Sequence, residues 1–106
     1  MQKKETIINL RFKSELSTEK VCKITEARKN LLRNTKGLVS LFCYTNEETN
    51  IIGGIYIFEN MQLAHQYLGR FLIEGIGPKY QIIPMTLKID VVNLIEEIKG
   101  VNLGQS

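Results

Sequence analysis

The segment Ile51-Ile52-Gly53-Gly54-Ile55-Tyr56-Ile57-Phe58 has no polar side chain apart from one phenol. A β-strand turns successive side chains to opposite faces of its sheet. A run of this kind therefore asks for apolar cover on both sides. A chain of 106 residues forms one domain with a modest core. It is too short to supply two helical layers from one copy, so a second subunit is expected over one side of the sheet.

The flanking sequence supplies the rest of that sheet. Residues 6–13 alternate, with Ile8, Leu10 and Phe12 on one face and Ile7, Asn9 and Arg11 on the other. Ser17 is an N-cap candidate, Glu19 suits the first helical turn, and Leu16 and Val21 have hydrophobic-staple spacing. Val21, Ile24, Leu31 and Leu32 recur at helical spacing, so a helix is expected over roughly residues 18–35, stopped by Gly37. Residues 38–45 read as a second strand, joined through the polar loop at 46–50 to the strand at 51–58. Asn60 caps a second helix with the apolar stripe Leu63, Ala64, Tyr67, Leu68 and Phe71, broken at Gly75-Ile76-Gly77-Pro78. Residues 80–90 read as a fourth strand, in which Pro84 implies an edge or a bulge. A short final helix is expected over 91–98, with a loose tail after Gly100.

This order, strand-helix-strand-strand-helix-strand, predicts an α+β fold: one ferredoxin-like βαββαβ domain over residues 1–106 with a four-stranded antiparallel sheet. Right-handed crossovers put both helices on one side. The other side is left with Ile7, Asn9 and Arg11, then Leu38, Ser40, Phe42 and Tyr44, then Ile82, Pro84, Thr86 and Lys88. That mixture is too apolar for water and too polar for a core, which marks a partner surface. Two copies packed sheet to sheet would cover it symmetrically. Space left between sheet and helices, or between sheets, would be an apolar small-molecule pocket.

Several function classes are excluded by what the chain lacks. A net charge of +3 is too small and too scattered to argue for nucleic acid on charge alone, and the basic stretch over 20–36 reads as the wet face of a helix. No phosphate-loop pattern surrounds Gly53 and Gly54. Cys22 and Cys43 lack CxxC neighbours and a metal partner set, and are expected as buried, reduced thiols. No signal peptide and no membrane-spanning stretch is visible, so a cytoplasmic protein without membrane contact is expected.

Gly37-Leu38-Val39, Thr45-Asn46-Glu47 and Gly53-Gly54-Ile55-Tyr56-Ile57-Phe58 together resemble the YdhR-type mono-oxygenase family. The resemblance continues through Ala64, Tyr67-Leu68 and Lys88-Ile89-Asp90-Val91, and includes the opening strand Ile8-Asn9-Leu10-Arg11-Phe12. It implies membership of the dimeric α+β barrel superfamily, and hence a homodimer with a pocket in each subunit. It further implies a cofactor-independent mono-oxygenase acting on a small aromatic or enolic substrate. Some relatives carry Trp in the second strand, where this chain has Ser40 and Cys43 and no Trp anywhere.

Such chemistry needs polar donors in a dry pocket to hold a deprotonated substrate. Asn9 and Arg11, an amide and a fixed cation on one strand face, are the candidates for orienting and polarising it. Their bland reading is a polar pair at the dimer seam. His65, the one histidine, is the candidate base, although a lone helix histidine is more often a boundary residue. Tyr44 and Tyr56, with Ser40 and Phe42, are expected to line the pocket; ordinary strand packing is the competing account of the aromatic ones. No metal and no cofactor is expected. A non-catalytic small-molecule-binding or regulatory module is the alternative, with no triad, carboxylate dyad or metal cluster to oppose it. A haem role for His65 and Asn9 stands further back, since haem-degrading relatives usually also need a Trp.

Overall fold

The computed structural model describes residues 4–73 and 79–101. The expected helix break at 75–78 and the end of the tail lie outside these residues. Four strands form one antiparallel sheet: β1 (Thr6–Lys13), β2 (Leu38–Asn46), β3 (Ile51–Phe58) and β4 (Lys88–Asn93). Their spatial order is β2-β3-β1-β4, so the first and third strands are central, as in a ferredoxin-like domain. Helices α1 (Thr18–Ala27) and α2 (Lys29–Arg33) connect β1 to β2, and α3 (Met61–Ile73) follows β3.

The alternation in β1 translates directly into packing. Ile8, Leu10 and Phe12 are buried with Thr6, while Arg11 and Lys13 are exposed. Ile52, Tyr56 and Phe58 of β3 lie across from Phe12, Ile8 and Thr6, and pack against Ala64, Tyr67 and Phe71 of α3. Both expected caps form: Ser17 Oγ accepts from the Lys20 N–H at 3.2 Å and Asn60 Oδ1 accepts from the Leu63 N–H at 2.9 Å. Gly37 adopts φ 83°, and a β-carbon there would collide with the Leu63 side chain, so both backbone and space require glycine.

Four expectations are corrected. The single helix over 18–35 is two, separated at Arg28 (φ −96°, ψ 6°). The Arg28 N–H is shared between the carbonyls of Ile24 and Thr25, both at 3.1 Å, a tightened turn that ends α1. The fourth strand starts at Lys88 rather than near Tyr80, because Pro84 lacks an N–H and opens a 3-10 turn, Pro84–Thr86. Its Met85, expected inside a strand, is 94% exposed. Val91–Asn93 belong to β4 and not to a final helix, and Leu94–Gly100 takes neither helix nor strand. A register shift between Leu38 and Ser40 also moves Leu38 off the open face: it lies across from buried Phe58, whereas Ser40 lies across from Ile57.

Candidate functional site

The sheet offers two different surfaces. On the open face the register gathers Asn9, Arg11, Ser40, Phe42 and Tyr44. Arg11 and Tyr44 flank Gly53 from either side, and Asn9 and Phe42 flank Ile55. The Tyr44 hydroxyl donates to Asn9 Oδ1 at 3.1 Å, reaching across β3. It can do so because the ring lies over Gly53, where a β-carbon would overlap it. Two of the expected site residues are thus directly bonded to each other. Phe42 is 57% exposed, so this face lacks cover in a single copy.

Tyr56 belongs to the opposite surface. It pairs with Ile8 and is buried on the helix side, where its hydroxyl lies 3.2 Å from that of Tyr67. The two rings are tilted, with centroids 5.0 Å apart. Burial raises the Tyr56 phenol far above the ordinary value of 10.0, with Tyr67 adding to the effect. Burial raises Tyr67 as well. Both phenols therefore stay protonated at neutral pH and can donate an O–H. His65 is exposed on α3, away from the Ala64, Tyr67 and Phe71 stripe that faces the sheet. The structure does not bring it together with Asn9 and Arg11, which lie on the far side of the sheet.

A cleft of about 610 Å³ opens between α1–α2 and the helix-facing side of β2 and β3. Its volume is that of a site for a small organic molecule. Leu10, Phe12, Ile52, Gly54 and Tyr56 lie at the sheet side, and Val21, Cys22, Thr25 and Leu32 come from the helices. Leu41, Cys43 and Thr45 of β2 have alternate side chains on this side by register. Gly54 keeps the space open: a β-carbon there would sit 3.0 Å from Tyr56 Cε1 and 3.4 Å from Leu41 Cδ1. Lys29 and Arg33 bring cations to the cleft, with Lys29 3.6 Å from Glu26.

Cys22 and Cys43 correct a further expectation, since both are exposed rather than buried. They border the cleft from opposite walls. The partial enclosure of the cleft raises the Cys43 thiol above its ordinary value, with Cys22 adding to the shift. Tyr67 and the two thiols were not singled out as site residues by sequence. Tyr67 sat within an ordinary apolar helix stripe, and nothing in the spacing of Cys22 and Cys43 placed them across one gap. Among the described residues no group of three His, Cys, Asp or Glu side chains could hold a metal ion. No helix among them is long and apolar enough to cross a membrane.

Fold and cleft together define a ferredoxin-like α+β domain with a small-molecule-sized cavity on its helix side. No family model and no curated protein matches the chain. Among solved structures it is similar to the NE2512 protein of unknown function from Nitrosomonas europaea, with a TM-score of 0.71 at 10% identity. The match covers 95% of this chain and 99% of that one, and shows a shared fold.

Proposed function

We propose that this protein binds a small aromatic or enolic molecule in the helix-side cleft, as one subunit of a homodimer closed over the open sheet face. The observation that carries the reading is the apolar cavity of about 610 Å³ with a protonated tyrosine at its floor. Apolar walls give affinity for a flat hydrocarbon skeleton, and few polar groups fix its orientation. Tyr56 supplies an O–H for a ligand oxygen, and Arg33 supplies a cation for an acidic substituent.

Titration with phenols, quinols and naphthols, read by ligand-induced thermal shift, tests this. Saturable stabilisation is expected in the wild type and not in Cys43→Phe, whose ring would fill the cleft. Absence of saturable binding across the panel would remove the reading, provided far-UV circular dichroism shows both proteins folded.

A second reading, a cofactor-independent mono-oxygenase, draws support from the Tyr56–Tyr67 pair. The Tyr67 hydroxyl donates to that of Tyr56 at 3.2 Å, which leaves the Tyr56 O–H at the cleft floor free to stabilise the phenolate or enolate that would react with oxygen. Substrate-dependent oxygen uptake that falls in Tyr56→Phe would establish turnover; binding without uptake leaves a non-catalytic module. In either case Asn9 and Arg11, on the open face, act at the dimer seam rather than on a ligand in the cleft.

A further inference from the structure

The segment that follows β4 carries an unused helical stripe. Leu94, Ile95, Ile98 and Val101 recur at helical spacing, yet the segment is not helical, and Ile95, Ile98 and Val101 are 88%, 84% and 96% exposed. Eight residues are too few to hold a helix without a surface to pack on. Glu96 and Glu97 give the same segment two adjacent negative charges.

The open sheet face holds the complement. Arg11 lies beside Lys88 in register, with Lys13 two residues further along β1. These three cations border a hollow of about 430 Å³ with Ile51 and exposed Met85. Among the described residues none of the three has a carboxylate at ion-pair distance. Asp90 is the one acidic strand residue that the register places on this face.

One chain does not bring the two together directly. The cations lie at the Lys13 end of β1, while Leu94 leaves the sheet at the Thr6 end, its N–H bonded to the Glu5 carbonyl at 2.8 Å. Seven residue steps of strand separate the ends, roughly 23 Å at about 3.3 Å per residue. A two-fold axis lying across the strands sets the Asn93 end of one copy over the Lys13 end of the other, and does so twice.

We infer that residues 94–101 form a docking arm, which packs Ile95, Ile98 and Val101 into the Met85 hollow of a second copy of this chain and sets Glu96 and Glu97 against its Arg11, Lys13 and Lys88. The inference rests on the homodimer reading above and names the contact that orients it. The arm coils into a helical turn as it docks, because its stripe then has a surface to cover.

A charge-exchange experiment by sedimentation velocity tests this arrangement. Lys13→Glu/Lys88→Glu and Glu96→Lys/Glu97→Lys each place like charges together in their own homodimer, and each should weaken dimerisation by about tenfold or more. An equimolar mixture should recover wild-type affinity, since each copy then meets its complement. A mixture no tighter than the separate variants overturns the arm, including any arrangement in which it folds back on its own chain. If the wild type still dimerises in that case, the sheet-to-sheet reading survives. A wild type that stays monomeric at tens of micromolar overturns both.

Discussion

The contact between Tyr44 and Gly53 makes a prediction whose sign depends on a second residue. Gly53 lies in a central strand without a left-handed backbone, so alanine is conformationally acceptable there. In an empty environment Gly53→Ala should stabilise by roughly 0.4–1 kcal/mol, through the reduced freedom of the unfolded chain. Here the added methyl would overlap Cζ, the hydroxyl and Cε1 of Tyr44. The ring must leave, and its 3.1 Å bond to Asn9 Oδ1 goes with it. That bond contributes about 1 kcal/mol net. Losing the ring's packing over the strand costs roughly another 1 kcal/mol at ~25 cal/mol per Å² of apolar surface.

Gly53→Ala in the wild type should therefore destabilise by about 1 kcal/mol, the net of these terms. In a Tyr44→Ala background the same change should stabilise, leaving a coupling of about 2 kcal/mol between the two positions. Equilibrium urea unfolding, followed by circular dichroism at matched protein concentration, measures all four corners of the cycle. Stabilisation by Gly53→Ala in both backgrounds would refute the reasoning, because it would mean that the ring does not occupy the space above the glycine.

Three other outcomes are expected. Thr6 is fully buried with no hydrogen-bond partner for its Oγ1 among the described residues, so Thr6→Val should raise stability by about 1 kcal/mol in urea unfolding. The folded state holds Tyr56 and Tyr67 above their ordinary value of 10.0, so unfolding releases protons once the pH exceeds about 10. Their contribution is complete below that pH and is lost above it, at up to about 1.4 kcal/mol per pH unit per phenol; Tyr67→Phe should flatten the alkaline limb of a stability-against-pH curve. The raised Cys43 thiol holds less thiolate near pH 8, so in single-cysteine variants iodoacetamide should alkylate Cys43 more slowly than an unstructured cysteine peptide, with its midpoint at higher pH.

The strands that alternate were legible in the sequence, because alternation and burial are the same fact seen twice. Ile8, Leu10 and Phe12 of β1 illustrate this, as do Ser17 and Asn60, whose short polar side chains cap the helices that follow them. The failures arose where a local signal had two structural solutions. Pro84 is compatible with a bulged edge strand and with the first position of a 3-10 turn, and the turn was taken. A run as apolar as β3 carries no alternation to tell its faces apart. The pairing of Ile8 with Tyr56, which no local pattern states, decides that Tyr56 looks toward the helices. The cleft was illegible for a related reason: its outer wall depends on how α1 and α2 stand over β2, a long-range matter that Cys22 and Cys43 do not reveal by spacing.

Gly53 and Gly54, read together, separate the two proposed roles of the sheet, dimerisation and ligand binding. Adjacent strand residues face opposite ways. Gly53 makes room for the Tyr44 ring on the open face, and Gly54 makes room for the Tyr56 ring on the helix side. The pair is therefore a double clearance, one per tyrosine, rather than a loop for a phosphate. A methyl at position 54 would press on Tyr56 Cε1 at 3.0 Å, a contact that tilts the phenol at the cleft floor without removing it from the core. Gly54→Ala should accordingly weaken ligand-induced thermal shifts several-fold while the dimerisation constant is unchanged, and Gly53→Ala, which displaces the Tyr44 ring, should weaken dimerisation. Loss of both properties in either variant would show that the glycines serve the strand as a whole. The two surfaces of the sheet could not then be assigned separate tasks.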